Sequence, residues 1–250
     1  MCKYLLFDTE STGLQEKDRL IQVGSMLVEH GKETIITDEV VGTHEPISFS
    51  SMEIHGITPE KLEGAAPFSE TVFKRVLDIH NDPKNYLIAH NISFDLGMLE
   101  KEGFKNQYTL IDTLRVSRHI FNEDINRLQY LRYALGLYHK EEQESWDLGI
   151  EIKAHDAISD VLIMKLLFSK IIQTVKELYP ETNAIAKIVE LTNTPILVEK
   201  FKFGKYKGKL ISEVAQSDKG YLSWMRGNLE VDEDMQHTIT HYIGACEYAH

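Results

Sequence analysis

The chain has 250 residues, of which 42% are apolar, so it can bury a hydrophobic core and is not intrinsically disordered. Its 27 basic and 39 acidic side chains give a net charge of −12, which excludes a protein that coats nucleic acid with its whole surface. The two cysteines, Cys2 and Cys246, exclude a disulfide framework and a thiolate zinc site. No apolar stretch suits a signal peptide or a membrane span, so we expect a cytoplasmic protein without membrane contact.

The chain begins with three predicted strands. An apolar run over residues 4–7 ends at the polar cluster 8–13, which indicates a buried strand that opens into a loop. Residues 20–28 and 34–41 form two further strand patterns, and the segment between them has the length and the glycine of a hairpin turn. We expect these three strands to form a meander.

Helices and strands alternate in the next part of the chain. Apolar spacing predicts a helix over residues 69–80, which the following Asn-Asp-Pro segment ends. A short buried strand is predicted over 86–89, and after it a helix that Ser93 caps and Gly103 ends. Residues 108–111 are the fifth predicted strand.

Further helices are predicted over 114–121, 128–135 and 157–178. A meander followed by alternating elements predicts an α/β fold, with a mixed five-stranded sheet and helices on its faces. We place a domain boundary near residue 190. A first domain is expected over 1–180, and a small C-terminal accessory module over 195–250.

Two of the predicted strands are followed by carboxylates. Asp8 and Glu10 are two residues apart, so the period of a strand places both on one face of the sheet. Asp95 comes just after the strand at 86–89, and ligand sites in α/β sheets lie at such strand ends. These acids are either ordinary solvated loop residues or adjacent anions that hold divalent cations.

A third acidic group lies at the start of the long helix. Asp156 can cap this helix, which places Asp160 in its first turns and leaves His155 on the segment before it. The two aspartates would also be favourable simply as charges near the positive end of the helix dipole, with His155 as a loop histidine. The residues alone leave both explanations open.

Taken together, these motifs resemble the DEDDh-type (DnaQ-like) 3′–5′ exonuclease family, which is named for four acidic residues and a histidine. The resemblance rests on Phe7-Asp8-Thr9-Glu10-Ser11-Thr12-Gly13-Leu14, on His90-Asn91-Ile92-Ser93-Phe94-Asp95, and on His155 followed by Asp160. It covers roughly residues 1–175, and Ser11 stands where threonine is more usual in the family.

This resemblance implies a ribonuclease H-like fold and two bound Mg²⁺ or Mn²⁺ ions. The metal ligands would be Asp8, Glu10, Asp95 and Asp160. Hard oxygen ligands suit these cations, and a cation pair stabilises both the entering and the leaving oxygen in phosphodiester cleavage. We assign His155 as the general base because an imidazole has the ordinary pKa nearest the working pH.

The resemblance also implies contacts with the terminal nucleotide. The candidate substrate-binding residues are Thr9, Ser11, Thr12, Gly13, Leu14, His55 and Asn91. The segment up to Gly13 would approach the nucleotide through backbone groups, and Leu14 would pack on or wedge at the last base. For Gly13, His55 and Asn91, a purely structural role as a turn glycine, a bonded histidine or a capping residue explains the sequence equally well.

The last part of the chain is basic and aromatic. Five lysines between residues 200 and 209 alternate with three aromatic residues, which suits single-stranded nucleic acid or, equally, a half-buried hairpin with solvated lysines. Residues 218–225 and 235–243 would supply a small core. This part resembles the module at the end of exodeoxyribonuclease X-type proteins, which favours DNA as substrate and a nucleic-acid grip as the role of the module.

The sequence therefore predicts an exonuclease that releases nucleoside 5′-monophosphates from single-stranded or frayed 3′ ends of DNA. An RNA 3′-trimming exonuclease of the same family is an alternative, because metal-bound phosphate chemistry does not read the sugar. A catalytically idle binding module associated with a polymerase or with repair is another, although no metal carboxylate is missing. A metal phosphohydrolase is disfavoured because further ligand histidines at usable spacing are lacking.

Overall fold

The structure is a computed structural model that describes residues 2–121, 123, 125–153 and 156–245. The chain forms two compact units, Met1–Thr192 and Asn193–His250. None of the described helices has the length and apolar composition needed to cross a bilayer.

The first unit is built on one sheet. Its strands are β1 (Tyr4–Ser11), β2 (Leu20–Val28), β3 (Ile35–Val40), β4 (Tyr86–Ala89) and β5 (Thr109–Asp112). The order across the sheet is β3-β2-β1-β4-β5. β1 pairs antiparallel with β2 and parallel with β4, so the sheet is mixed and five-stranded, which confirms the predicted fold class.

The helices of this unit cover both faces of the sheet. They are α1 (Phe49–His55), α2 (Val72–Ile79), α3 (Ile92–Lys101), α4 (Thr113–Ile120), α5 (Leu128–Ala134), α6 (Tyr138–Leu148), α7 (Ala157–Leu178) and α8 (Ala184–Asn193), the last of which ends at the unit boundary. Leu6 packs with Val161 and Leu162 of α7 on one face, whereas Phe7 packs with Phe73 of α2 on the other. This alternation along β1 is the reason that two carboxylates spaced by two share the α7 face.

The start of α3 differs from the prediction. The helix begins at Ile92 and is preceded by Asn91 with a φ of 75°, so Ser93 is not its cap. Asparagine tolerates this left-handed backbone better than most residues do. The Asn91 N–H also donates to Asp112 Oδ1 over 3.1 Å, which ties the turn to the end of β5.

The second unit contains α9 (Ile211–Ser217), α10 (Lys219–Asn228) and α11 (Glu233–Ala245). These helices pack around the buried ring of Phe201 together with Leu222, Met225 and Ile239. The Phe201 N–H donates to the Lys209 carbonyl, so the basic segment returns on itself as a loop with one ring in the core. The unit thus has a hydrophobic core of its own.

Candidate metal centre and its surroundings

The α7 face of the sheet carries a close group of carboxylates. Asp8 and Glu10 project from β1 on this face, and Asp160 lies in the first turn of α7. One carboxylate oxygen from each of the three residues lies within 4.8 Å of the other two. All three side chains are half-buried, so they remain accessible to a cation.

A glycine in β2 permits this arrangement. Gly24 lies opposite Asp8 in the β1–β2 pairing. A Cβ atom at Gly24 would lie 2.4 Å from Ile158 N and 2.5 Å from Ala157 C, so only glycine lets the start of α7 lie this close to the strand. The sequence does carry a signal for this contact, because a glycine inside an apolar strand often marks close approach of another backbone.

The start of α7 is also held by a side chain of β2. Gln22 pairs with Glu10 across the strands, and its Nε2 donates to Asp156 Oδ1 over 2.9 Å. Asp156 is the N-cap residue of α7. The helix therefore begins at a point fixed by two residues of β2, which sets the distance from Asp160 to β1.

Asp95 lies outside the close group but beside it. It is in the first turn of α3 and is 3% exposed. Its Oδ1 accepts two hydrogen bonds from Thr9, one from the backbone N–H over 3.0 Å and one from Oγ1 over 2.7 Å. The Thr9 hydroxyl is thereby committed to orienting Asp95.

Burial and mutual repulsion shift the pKa values of these acids. Burial, followed by the charges of Asp95, Asp160 and Glu10, raises the pKa of Asp8 well above its usual range. Burial and the charges of Asp160 and Asp95 raise the pKa of Glu10 to about 8. Burial raises the pKa of Asp95 to about 7, against the Thr9 hydrogen bonds, which lower it. Divalent cations would relieve this repulsion, and clustered carboxylate oxygens are the donors that Mg²⁺ and Mn²⁺ prefer, so the residues present fit such ions.

Asp160 is oriented through a chain of side chains from α5 and α6. Gln129 Nε2 donates to Asp160 Oδ1 over 2.6 Å, and Arg132 Nη1 donates to Gln129 Oε1 over 3.2 Å. Arg132 in turn binds the buried carboxylate of Glu141 through Nε and Nη2. The sequence does not predict this series of hydrogen bonds, because residues 129, 132 and 141 show no motif spacing relative to residue 160.

The loop after β1 is tightly bonded. Thr12 is fully buried; its Oγ1 donates to Asp18 Oδ1 over 3.1 Å and accepts from the Arg19 N–H over 3.0 Å. A Cβ atom at Gly13 would come within 2.4 Å of Asp18 Oδ2, and Ser11 Oγ donates to the Gly13 carbonyl over 2.8 Å. Beyond this turn, the side chain of Leu14 is 85% exposed. A firmly held turn therefore presents an apolar side chain to solvent.

Three other predicted site residues, His55, Asn91 and His155, belong to separate parts of the chain. His55 ends α1, its Nδ1 accepts from the Ile57 N–H over 2.9 Å, and burial lowers its pKa against the backbone of Ser11, which raises it. Asn91 supplies the left-handed turn before α3. His155, the expected general base, lies outside the described residues.

Comparisons with known proteins identify the family to which the chain is similar. A family model described as Exonuclease matches residues 5–168, and one described as Exodeoxyribonuclease X-like C-terminal matches residues 201–230. Exodeoxyribonuclease 10 of Escherichia coli strain K12 is 29% identical over 240 residues, which are 95% of this chain and 97% of the relative. The PolC-type DNA polymerase III of Streptococcus pyogenes serotype M18 is 35% identical over 150 residues, or 58% of this chain and 10% of the polymerase.

Solved structures with the same fold include two nuclease complexes. Exonuclease X in complex with 5′ overhanging duplex DNA has a TM-score of 0.55 and 20% identity, covering 76% of this chain and 99% of that chain. Exonuclease I of E. coli in complex with a dT13 oligonucleotide has a TM-score of 0.54 and 19% identity, covering 71% of this chain and 42% of that chain.

Proposed function

Because the chain belongs to the Exonuclease family and is a 3′–5′ exonuclease, we propose that it releases nucleoside 5′-monophosphates from 3′ ends of DNA with two divalent cations. The observation that carries this proposal is the convergence of Asp8, Glu10 and Asp160 within 4.8 Å, with buried Asp95 beside them. Separate parts of the chain deliver these carboxylates to one place, as a site for divalent cations requires.

The four carboxylates would hold Mg²⁺ or Mn²⁺. When bound, the cations supply charge stabilisation for the entering and leaving oxygens and lower the pKa of the attacking water. The protein's contribution is positional: β1 supplies two ligands, the Thr9 hydrogen bonds orient Asp95, and Gln129 orients Asp160. Because the carboxylates are already oriented, cation binding carries no free-energy cost for rearranging them.

His155 would act as the general base. It lies on the segment directly before α7, five residues before Asp160 in the chain. A neutral imidazole there would accept the proton of the attacking water, since histidine titrates near neutral pH. This assignment rests on the sequence motif.

The proposed substrate is a single-stranded or frayed 3′ end. Two similar proteins support DNA as the substrate. They are exodeoxyribonuclease 10 and Exonuclease X, the latter in a complex with 5′ overhanging duplex DNA. Exposed Leu14 would contact the last base, and the turn formed by Ser11 to Gly13 would approach the terminal nucleotide through its backbone. His55 and Asn91 would be neighbours of the substrate. The C-terminal module over 195–250 would add a grip on the strand.

One assay tests the reaction and the substrate together. DNA and RNA oligonucleotides of matched sequence, labelled at the 5′ end, are incubated with the protein and Mg²⁺. We expect the DNA to shorten stepwise from its 3′ end with release of nucleoside 5′-monophosphates, and the RNA to persist.

Two variants and a control complete this experiment. Asp8→Ala and Asp160→Ala should abolish cleavage and retain the circular dichroism spectrum of the folded protein. Asp78→Ala, a partly exposed position on α2 away from the metal centre, should leave cleavage unchanged. Full activity of Asp8→Ala or Asp160→Ala would contradict the two-metal mechanism, and faster shortening of the RNA would favour the RNA-trimming alternative.

A further inference from the structure

Trp224 in the second unit is a large aromatic side chain outside the core. The sequence pattern predicts that residues 218–225 contribute to a small core, and Leu222 and Met225 do so. Trp224 instead is 49% exposed. Its ring stacks on that of Tyr221, with centroids 5.8 Å apart and an interplanar angle of 24°. Tyr221 thus covers one face of the Trp224 indole and holds the ring in place.

The helix surface around Trp224 carries little that could cover the ring. Gly220 and Gly227 lie four residues before and three residues after it, which are its neighbours on the surface of α10. A Cβ atom at Gly227 would meet nothing within 4 Å. Because glycine has no side chain, neither residue covers the indole ring.

The basic loop 200–209 is fastened beside this stack. Lys205 Nζ lies 6.0 Å from the centroid of the Tyr221 ring and 3.1 Å from Asp218 Oδ2. A Cβ atom at Gly204 would lie 2.5 Å from the Tyr221 hydroxyl, so the loop backbone contacts that residue directly. Lys205 is therefore held next to the Tyr221 ring of the stack.

Two of the three rings within the basic loop have structural roles. Phe201 is 1% exposed, and the Tyr206 hydroxyl donates to Asp218 Oδ2 over 2.7 Å. Lys205 and Lys209 lie over the Tyr206 ring, at 4.7 and 5.7 Å from its centroid. Phe203, the third ring of the loop, is 42% exposed, whereas Trp224 of α10 is 49% exposed and is the ring that stacks on Tyr221.

We propose that Trp224, supported by Tyr221 and with Lys205 of the basic loop 200–209 beside the Tyr221 ring, is a platform on which bases of single-stranded DNA stack. Stacking on an aromatic ring beside cations is the mode in which proteins bind single strands without reading their sequence. The lysines favour this polyanion over an apolar peptide as the occupant. The choice of DNA rests on the proposed function.

Fluorescence of Trp224 tests the platform directly. The chain has two tryptophans, so Trp146→Phe leaves Trp224 as the single tryptophan of the full-length protein, whose fluorescence can be excited apart from that of tyrosine. This variant is titrated with oligo(dT) of 20 nucleotides in EDTA, where binding is measured without cleavage. We expect saturable quenching of Trp224, weakened by salt, because a stacked base quenches the indole and the lysines contact phosphates.

Binding constants of substitution variants supply the second measurement. Trp224→Ala should weaken binding of the 20-mer by roughly tenfold or more, and Trp224→Phe by less, as expected for loss of base stacking. The matched control is Trp146→Ala, since Trp146 is 84% exposed on α6 of the first unit and should leave binding unchanged.

The outcomes separate the platform from the proposed function. Quenching in a protein that lacks nuclease activity would support the platform and contradict the proposed function. An active nuclease whose Trp224 fluorescence and 20-mer affinity do not respond would overturn the platform. Quenching by a proline-rich peptide but not by oligo(dT) would also overturn it, in favour of a protein partner.

Discussion

Gln129 donates a hydrogen bond from Nε2 to Asp160 Oδ1 over 2.6 Å. The side-chain oxygen of Gln129, Oε1, in turn accepts from Arg132, which is bound to Glu141. The side-chain amide of Gln129 therefore cannot rotate without breaking a second hydrogen bond. Asp160 is therefore held in one orientation by a side chain that touches no substrate in the proposed reaction.

We predict that Gln129→Ala raises the Mg²⁺ concentration needed for half-maximal activity by about 10- to 100-fold, as is typical when a ligand loses its supporting hydrogen bond. The measurement is the initial rate as a function of Mg²⁺ concentration. Gln143→Ala is the matched control, because Gln143 is an exposed glutamine that is hydrogen-bonded to Asp147 on α6. This variant should leave the Mg²⁺ concentration for half-maximal activity unchanged. An unchanged Mg²⁺ requirement in Gln129→Ala would show that Asp160 needs no such support.

Gly24→Ala should damage both the fold and the site. The added methyl group collides with the backbone of Ala157 and Ile158, so we expect a loss of about 1–3 kcal/mol in the free energy of unfolding and a displaced Asp160. Activity at saturating Mg²⁺ should fall at least tenfold. Gly97→Ala adds the same methyl group to α3 in open space and should stabilise the protein by about 0.5–1 kcal/mol. Equal effects of the two substitutions in urea unfolding would refute the close contact at Gly24.

Thr9→Val should separate the roles of the Thr9 side chain. Valine keeps the shape but removes the hydroxyl that donates to Asp95, so we expect a destabilisation of about 1 kcal/mol and a raised Mg²⁺ requirement. Thr9→Ser should restore both. If Thr9→Val instead raised only the KM for DNA, the hydroxyl would serve the substrate rather than the carboxylate.

The pKa of Glu10 predicts how the metal-free protein responds to pH. Because burial raises this pKa to about 8 from its ordinary value of 4.5, the folded state binds more protons than the unfolded state between these values. The contribution of Glu10 to stability is therefore present at low pH and is lost as the pH rises through this window. Glu10→Gln should melt above the wild type in EDTA by about 2 °C or more at pH 8, with a smaller difference at pH 5.

Added Mg²⁺ should reverse this order, since the wild type binds the cation and Glu10→Gln binds it less well. Thermal unfolding between pH 5 and 8, with and without Mg²⁺, measures both effects. Glu177→Gln, an exposed position near the end of α7, is the control. A difference in Tm that is the same at every pH would contradict the raised pKa.

His155→Ala should lower kcat by about 10²- to 10⁴-fold and leave the KM for DNA nearly unchanged, because a general base acts on the attacking water. The rate of the wild type should rise with pH through the pKa of the imidazole, and the variant should lose this dependence. His30→Ala, in the exposed turn between β2 and β3, serves as the control. A variant with the wild-type pH profile would exclude His155 as the base.

Local patterns in the sequence predict much of the fold. The bounds of β4 and α7 agree with the predicted ranges 86–89 and 157–178, because apolar periodicity and capping are properties of neighbouring residues. α6 has no such pattern: Glu141 is its buried residue, so tertiary contacts and not an apolar stripe define it. The carboxylates of the metal centre were found through motif spacing, which is also local.

What the sequence by itself determined is the set of strands, the family of the chain and the acids that meet at the sheet. Only the tertiary structure decided that Gly24 receives the start of α7, that Gln129 orients Asp160, and that Trp224 stands outside the core. These three relationships join residues or surfaces whose contact depends on how whole elements pack. How the elements pack depends on the combined burial of many side chains that are distant in the sequence, so no single stretch of sequence predicts these contacts.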